Sequence, residues 1–129
     1  DTGLAKGIIR ILPQLDGCLA ARAIRVPTLN VSAMDISVCV ESKIDFDSVN
    51  HVLREASQDY LPNVLGVTEQ PLVSCDFNHD PRSAIVDLTQ TSVSGRHLLK
   101  VFVWFDNEWA YANRMLDIAQ FLADMSVRQ

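Results

Sequence analysis

Asn107 and Tyr111 lie four residues apart in the run Trp104-Phe105-Asp106-Asn107-Glu108-Trp109-Ala110-Tyr111-Ala112-Asn113-Arg114. On a helix that spacing puts an amide and a phenol ring on one face. Such a pair is a seat for a flat ligand that carries a carboxamide. The same residues suit plainer work: Asp106 or Asn107 can cap the helix, and Tyr111 can pack. Near the start of the chain, Thr2 and Gly3 open a helical pattern. A helix start offers unpaired N–H groups and the positive end of the dipole, and glycine lets an anion approach the backbone. Thr2 adds a hydroxyl donor, and Arg25 can add a planar guanidinium fork that matches phosphate. Capping by Thr2 and a surface ion pair for Arg25 are the ordinary alternatives.

Other reactive side chains make no constellation. Cys75 is flanked by Ser74 and by Asp76, whose negative charge disfavours a thiolate, so it is expected to be a buried strand residue. His79 sits in Asn78-His79-Asp80-Pro81, which reads as a turn with Asx chemistry. His51 falls beside the apolar stripe of a helix and is expected at the surface or at its boundary. The sequence therefore offers no catalytic dyad, and the scatter of Cys and His gives no metal signature.

The elements that must position these residues alternate along the chain. Ala5, Ile8, Ile9 and Leu12 share one face of an opening helix closed by Pro13. Cys18–Val26 reads as a strand. In Val31–Glu41 the residues Met34, Ile36, Val38 and Val40 alternate with more polar ones, the period of a strand. Asp45 or Asp47 caps a second helix with the stripe Val49, Val52, Leu53 and Ala56. Pro62, Gly66 and Pro71 punctuate a looped region. Strands follow at Leu72–Phe77, Ala84–Thr91 and His97–Phe105, the last apolar on both faces and so expected to be central and covered twice. It runs directly into a last helix with Met115, Ile118, Ala119, Leu122 and Met125 at helical spacing. The whole predicts one α+β domain over residues 1–129, with a mainly antiparallel mixed sheet and about three helices.

Composition limits the partners. At 129 residues the chain is large enough to bury a core. Its hydrophobic share is 48%, yet no run approaches the roughly 18–20 apolar residues of a membrane span. A net charge of −5 with interspersed signs argues against nucleic acid. Three cysteines, Cys18, Cys39 and Cys75, with no close pair and no signal peptide predict reduced, buried thiols in a cytoplasmic protein. The chain opens on a helix cap without an initiator Met, which suggests a piece of a longer polypeptide.

Three ordered stretches carry a resemblance: Arg25-Val26-Pro27-Thr28-Leu29-Asn30-Val31-Ser32, Pro71-Leu72-Val73-Ser74-Cys75-Asp76-Phe77 and the run from Trp104 to Arg114. Together they resemble the C-terminal part of the catalytic domain of the phosphorylating glyceraldehyde-3-phosphate dehydrogenases. Asn78-His79-Asp80-Pro81-Arg82-Ser83-Ala84-Ile85-Val86-Asp87 looks most like the erythrose-4-phosphate dehydrogenase branch. The resemblance implies that Thr2, Gly3 and Arg25 hold the phosphate groups of a sugar phosphate and of inorganic phosphate. It implies that Asn107 holds the nicotinamide carboxamide of NAD, with the Tyr111 ring beside it. Ala110 departs from the glycine common at its place in that family. The family's nucleophilic cysteine, paired histidine and glycine-rich dinucleotide domain would all precede Asp1, and no G-x-G-x-x-G occurs here.

Two expectations of different class follow. In one, the chain is a catalytic-domain segment of an NAD-dependent sugar-phosphate aldehyde dehydrogenase, without turnover of its own, and part of a homotetramer in the complete enzyme. In the other, it is a non-catalytic folding and oligomerisation module derived from that family.

Overall fold

The computed structural model describes residues 3–127. Its elements are α1 (Leu4–Ile11), β1 (Ser32–Cys39), α2 (Phe46–Glu55), β2 (Leu65–Thr68), β3 (Ala84–Ser94), β4 (Leu98–Phe105) and α3 (Asn107–Val127). The strands form one sheet in the order β1-β4-β3-β2. β1 and β3 pair antiparallel with β4, and β2 pairs parallel with β3. The expected α+β class, with a mainly antiparallel mixed sheet and three helices, is what forms. No helix among the described residues is long and apolar enough to cross a membrane.

The sheet follows from its apolar alternation. On one face Val86, Leu88 and Val103 are buried, and Met34, Ile36, Leu53, Leu65 and Val101 pack against them. The helix α2 covers this face through Leu53. Asp45 starts that helix with a capping box: Ser48 N donates to Asp45 Oδ1 at 2.9 Å, and Asp45 N donates to Ser48 Oγ at 3.2 Å. Buried Asn50 of α2 donates to Leu88 O at 3.2 Å and docks the helix on β3. On the opposite face Val31, Phe77 and Ile85 form a second buried cluster with Leu72 and Trp104. Phe77 stacks on Trp104 with ring centroids 5.4 Å apart.

As expected, β4 is central, but its second face is covered only near its C-terminal end, by the segment holding Phe77. Its neighbour β3 is the more deeply buried strand, with Ile85, Val86, Asp87 and Leu88 all inside.

Several expectations are corrected. Cys18–Val26 makes no strand; it lies outside the sheet, and Ile24 and Val26 are exposed. Leu72–Phe77 is not a strand either, because local bonds win. Val73 N donates to Asp76 Oδ2 at 2.8 Å, and Asp76 N to Val73 O at 3.0 Å, which winds Ser74–Phe77 into a single 3-10 turn. The looped region around Gly66 contains β2, which the flanking prolines concealed. Gly66 leaves room there for the Arg82 side chain, which lies where a Cβ would stand and would have to shift for any larger residue. The first strand begins one residue later than expected, because Val31 adopts φ +70°.

The thiols also differ from expectation: Cys18, Cys39 and Cys75 are all exposed. Only Cys39 is on a strand, at the end of the edge strand β1 and on the face away from Met34 and Ile36. The last helix forms as expected, but its apolar stripe covers nothing within these residues. Met115, Ile118, Leu122 and Met125 are each at least half exposed.

Ile85 of β3, at 0% exposure, is buried against Val31 and Phe77. Replacing Ile85 with Ala should cost about 2–5 kcal/mol, and Ile85→Val about 0.5–1.5 kcal/mol. Urea unfolding of the complete protein measures both.

Candidate functional site

The junction between β4 and α3 is one residue long. Phe105 ends the strand, Asn107 begins the helix, and Asp106 between them is a carboxylate only 1% exposed. Every bond it accepts comes from a different part of the chain. Trp109 N donates to Oδ1 at 3.1 Å, which makes Asp106 the N-cap of α3. His79 N donates to Oδ2 at 2.9 Å, and Asn30 Nδ2 donates to the same oxygen at 2.9 Å. The capping alternative weighed for Asp106 is thus the true one, and it does more than cap.

Burial alone would raise the Asp106 pKa. The hydrogen bonds from His79 N, Trp109 N and Asn30, with the nearby His79 ring, outweigh that and hold it below the ordinary carboxylate range.

Each partner of Asp106 is held in turn. His79 takes φ +61° at the tip of the turn after Phe77, and its ring lies against Trp109 with centroids 4.5 Å apart. This agrees with the turn expected there. The turn is closed by Asp80, which accepts from Arg82 N at 2.9 Å and from both Nε and Nη2 of the Arg82 guanidinium. That guanidinium holds the Asp80 carboxyl below its usual range. One helical turn past Ala110, Arg114 donates to Asn63 O at 3.2 Å and to Ser83 Oγ at 3.3 Å, so the first two turns of α3 are pinned to the segments that lead into β2 and β3.

On this anchored helix, Asn107 and Tyr111 are brought onto one face as their spacing implies, and both are exposed. Among the described residues the Asn107 side chain makes no hydrogen bond, so its amide is available. Tyr111 is 67% exposed. Ala110 is buried, and its methyl group turns inward, away from the open face that carries Tyr111. The departure from glycine therefore does not block that face, and the residues present fit a nicotinamide amide.

Arg25 lies exposed in the segment outside the sheet, and Gly3 is the exposed N-cap of α1, with no side-chain cap of its own. The opening helix packs on the short 3-10 turn that follows it, Pro13–Leu15, rather than on the sheet. No hydrogen bond or ion pair joins Gly3, Arg25, Asn107 and Tyr111 to one another among the described residues. Thr2 lies outside the described residues. His51 is at the surface, 3.8 Å from Glu55 one turn on. Among the described residues, no group of three or more His, Cys, Asp or Glu side chains could hold a metal ion.

Asn30, Val31 and the His79 turn carry no local signal of the part they play at this junction. Asn30 and Asp106 are 76 residues apart, and no local pattern announces a bond across that distance.

A four-stranded mixed sheet with a central strand that runs straight into a helix capped by a buried carboxylate defines an α+β domain. Residues 1–107 match the family described as "Glyceraldehyde 3-phosphate dehydrogenase, C-terminal domain". The chain belongs to that family.

Because the Asp106 pKa is lower folded than unfolded, the native state holds fewer protons near pH 4, and its stability falls as acid protonates the carboxylate. The contribution is full above the unfolded value and is lost as pH drops through the folded one. Asp106→Asn should therefore flatten the acid-induced loss of stability between about pH 5 and pH 1, followed by urea unfolding at stepped pH. It should also lower stability at pH 7, since an amide cannot accept from all three donors and each orphaned donor costs about 1–3 kcal/mol.

Proposed function

We propose that residues 1–129 are the phosphate- and nicotinamide-holding segment of the catalytic domain in an NAD-dependent aldehyde dehydrogenase acting on a sugar phosphate. The substrate class is a phosphorylated aldose, glyceraldehyde 3-phosphate or erythrose 4-phosphate, the latter favoured by the resemblance of Asn78–Asp87. The observation that carries this reading is the exposed pair Asn107 and Tyr111 on a helix start that one buried carboxylate ties to the segment bearing Arg25.

In this reading Arg25, with Thr2 and Gly3, binds substrate phosphate and inorganic phosphate by charge-assisted hydrogen bonds. The Asn107 amide orients the nicotinamide through its carboxamide, and the Tyr111 ring limits the space beside it. NAD, when bound, supplies the hydride acceptor. Conversion of an aldehyde to an acyl phosphate also needs a thiolate and a base, and none of Cys18, Cys39 or Cys75 is paired with a histidine. Those groups are assigned to sequence outside residues 1–129, in a cytoplasmic enzyme.

A second reading is a folding and association module, favoured by the uncovered apolar residues Ile24, Val26 and Leu29 and the stripe on α3. It is compatible with a homotetrameric parent enzyme. The isolated chain is then expected to associate and to give no NADH.

In the complete enzyme, NADH should form with one or both aldose phosphates. Arg25→Ala should raise the KM for aldose phosphate about 10- to 100-fold, the loss of roughly 1.5–3 kcal/mol of charge-assisted bonding. Absence of NADH with both substrates, or an unchanged KM, would overturn the reading.

A further inference from the structure

The segment bearing Arg25 and the helix bearing Asn107 meet through one side chain. Asn30 Nδ2 donates to Asp106 Oδ2 at 2.9 Å and to Asn78 Oδ1 at 2.6 Å. Its amide thus uses both protons, one on the helix cap and one on the His79 turn. No other described hydrogen bond runs from residues 19–30 to the sheet or to α3.

The chain is strained to achieve this. Val31 has φ +70°, a left-handed conformation that a β-branched residue adopts at a cost of about 1–3 kcal/mol. The strain is held by packing, because the Val31 side chain is buried with Phe77 and Ile85. Reversing the chain at Val31 lets that side chain enter the core while the neighbouring Asn30 amide reaches Asp106. A glycine or asparagine would relieve the backbone, but neither would fill the core position.

The arm between Asn30 and Arg25 is short and braced. Five residues span at most about 18 Å. Pro27 fixes one φ, Thr28 N donates to Val26 O at 2.9 Å, and Thr28 Oγ1 donates to Asn30 O at 3.3 Å. An arm of this length, clamped at Asn30, restricts where the Arg25 guanidinium can go.

We propose that Asn30 is a positioning residue: its bond to Asp106, enforced by the strained Val31, sets the distance between the Arg25 guanidinium and the Asn107 amide. This rests on the phosphate and nicotinamide roles assigned to Arg25 and Asn107. Asn30 touches neither ligand. It acts on the phosphate side because its loss frees the arm, while Asp106 keeps its bonds to His79 and Trp109 and so keeps Asn107 in place.

The test is a set of variants of the complete enzyme, with steady-state kinetics and direct NAD binding. Asn30→Ala should raise the KM for aldose phosphate about fivefold or more and leave the NAD Kd within twofold. Asp106→Asn should move both constants. The double variant should match Asp106→Asn on the phosphate side, since the two act through one bond. If Asn30→Ala does not fold, Asn30→Ser, too short to reach Asp106, should give the same split.

A variant of Asn30 that lowers the melting temperature but leaves the aldose-phosphate KM within twofold would overturn the proposal. So would an equal shift of KM and NAD Kd. Arg25→Ala separates the two levels of inference. If it leaves that KM unchanged, the assigned phosphate role fails; if it raises the KM while Asn30→Ala does not, only the positioning proposal fails.

Discussion

A charge taken out of water must be repaid in hydrogen bonds, and Asp106 is where this fold meets that demand. The carboxylate sits at the one residue that separates the central strand from the last helix. Its oxygens accept from the first turn of that helix, from the His79 turn and from Asn30. Three segments far apart in sequence are therefore satisfied only when they are assembled together. Removing any one leaves a buried charge short of one donor, while the bonds that remain still hold the other two segments.

Around that carboxylate, rigidity is distributed unevenly. The sheet is buried on the α2 face by Leu53, Val86, Leu88 and Val103, and near the junction by Val31, Phe77 and Ile85. Gly66 leaves room for Arg82, whose fork on Asp80 closes the turn that delivers His79 N to Asp106. Against this firm platform, the opening helix, the Arg25 segment and the far end of α3 contribute little buried surface of their own. The residues proposed to bind ligand belong to both kinds of structure. Asn107 and Tyr111 ride on the anchored turns of α3, whereas Arg25 is at the end of a braced but exposed arm. In the proposed site, binding groups of different stiffness make the links between them matter more than the groups themselves.

The strained residue has the same logic. Val31 at positive φ is costly, and its burial with Phe77 and Ile85 is what holds the backbone there. Strain next to a side chain that bridges two distant segments of the chain is spent on geometry rather than on stability.

Much of this was legible in the chain. The period-two pattern of Met34 and Ile36, the doubly apolar His97–Phe105, the Asp45 cap and the i, i+4 pair Asn107 and Tyr111 are local features, and each produced its element. Local pattern instead implied a buried Cys75, a strand at Leu72–Phe77 and a strand at Cys18–Val26, and none of these forms. β-propensity says that a segment could be extended, but only an available sheet edge makes it a strand. Asp76 bonds to Val73 instead, and residues 18–26 lie outside the sheet. β2 is concealed for the converse reason: Gly66 between prolines signals a break, and only the folded chain lays Arg82 over it. Local spacing therefore specifies periods, caps and which side chains share a helix face, because those depend on neighbours within a turn or two. Which strand is central, which thiols are exposed and which three segments share the Asp106 carboxylate depend on burial and on hydrogen bonds reaching across as many as 76 residues. Such contacts exist only once the chain has closed on itself.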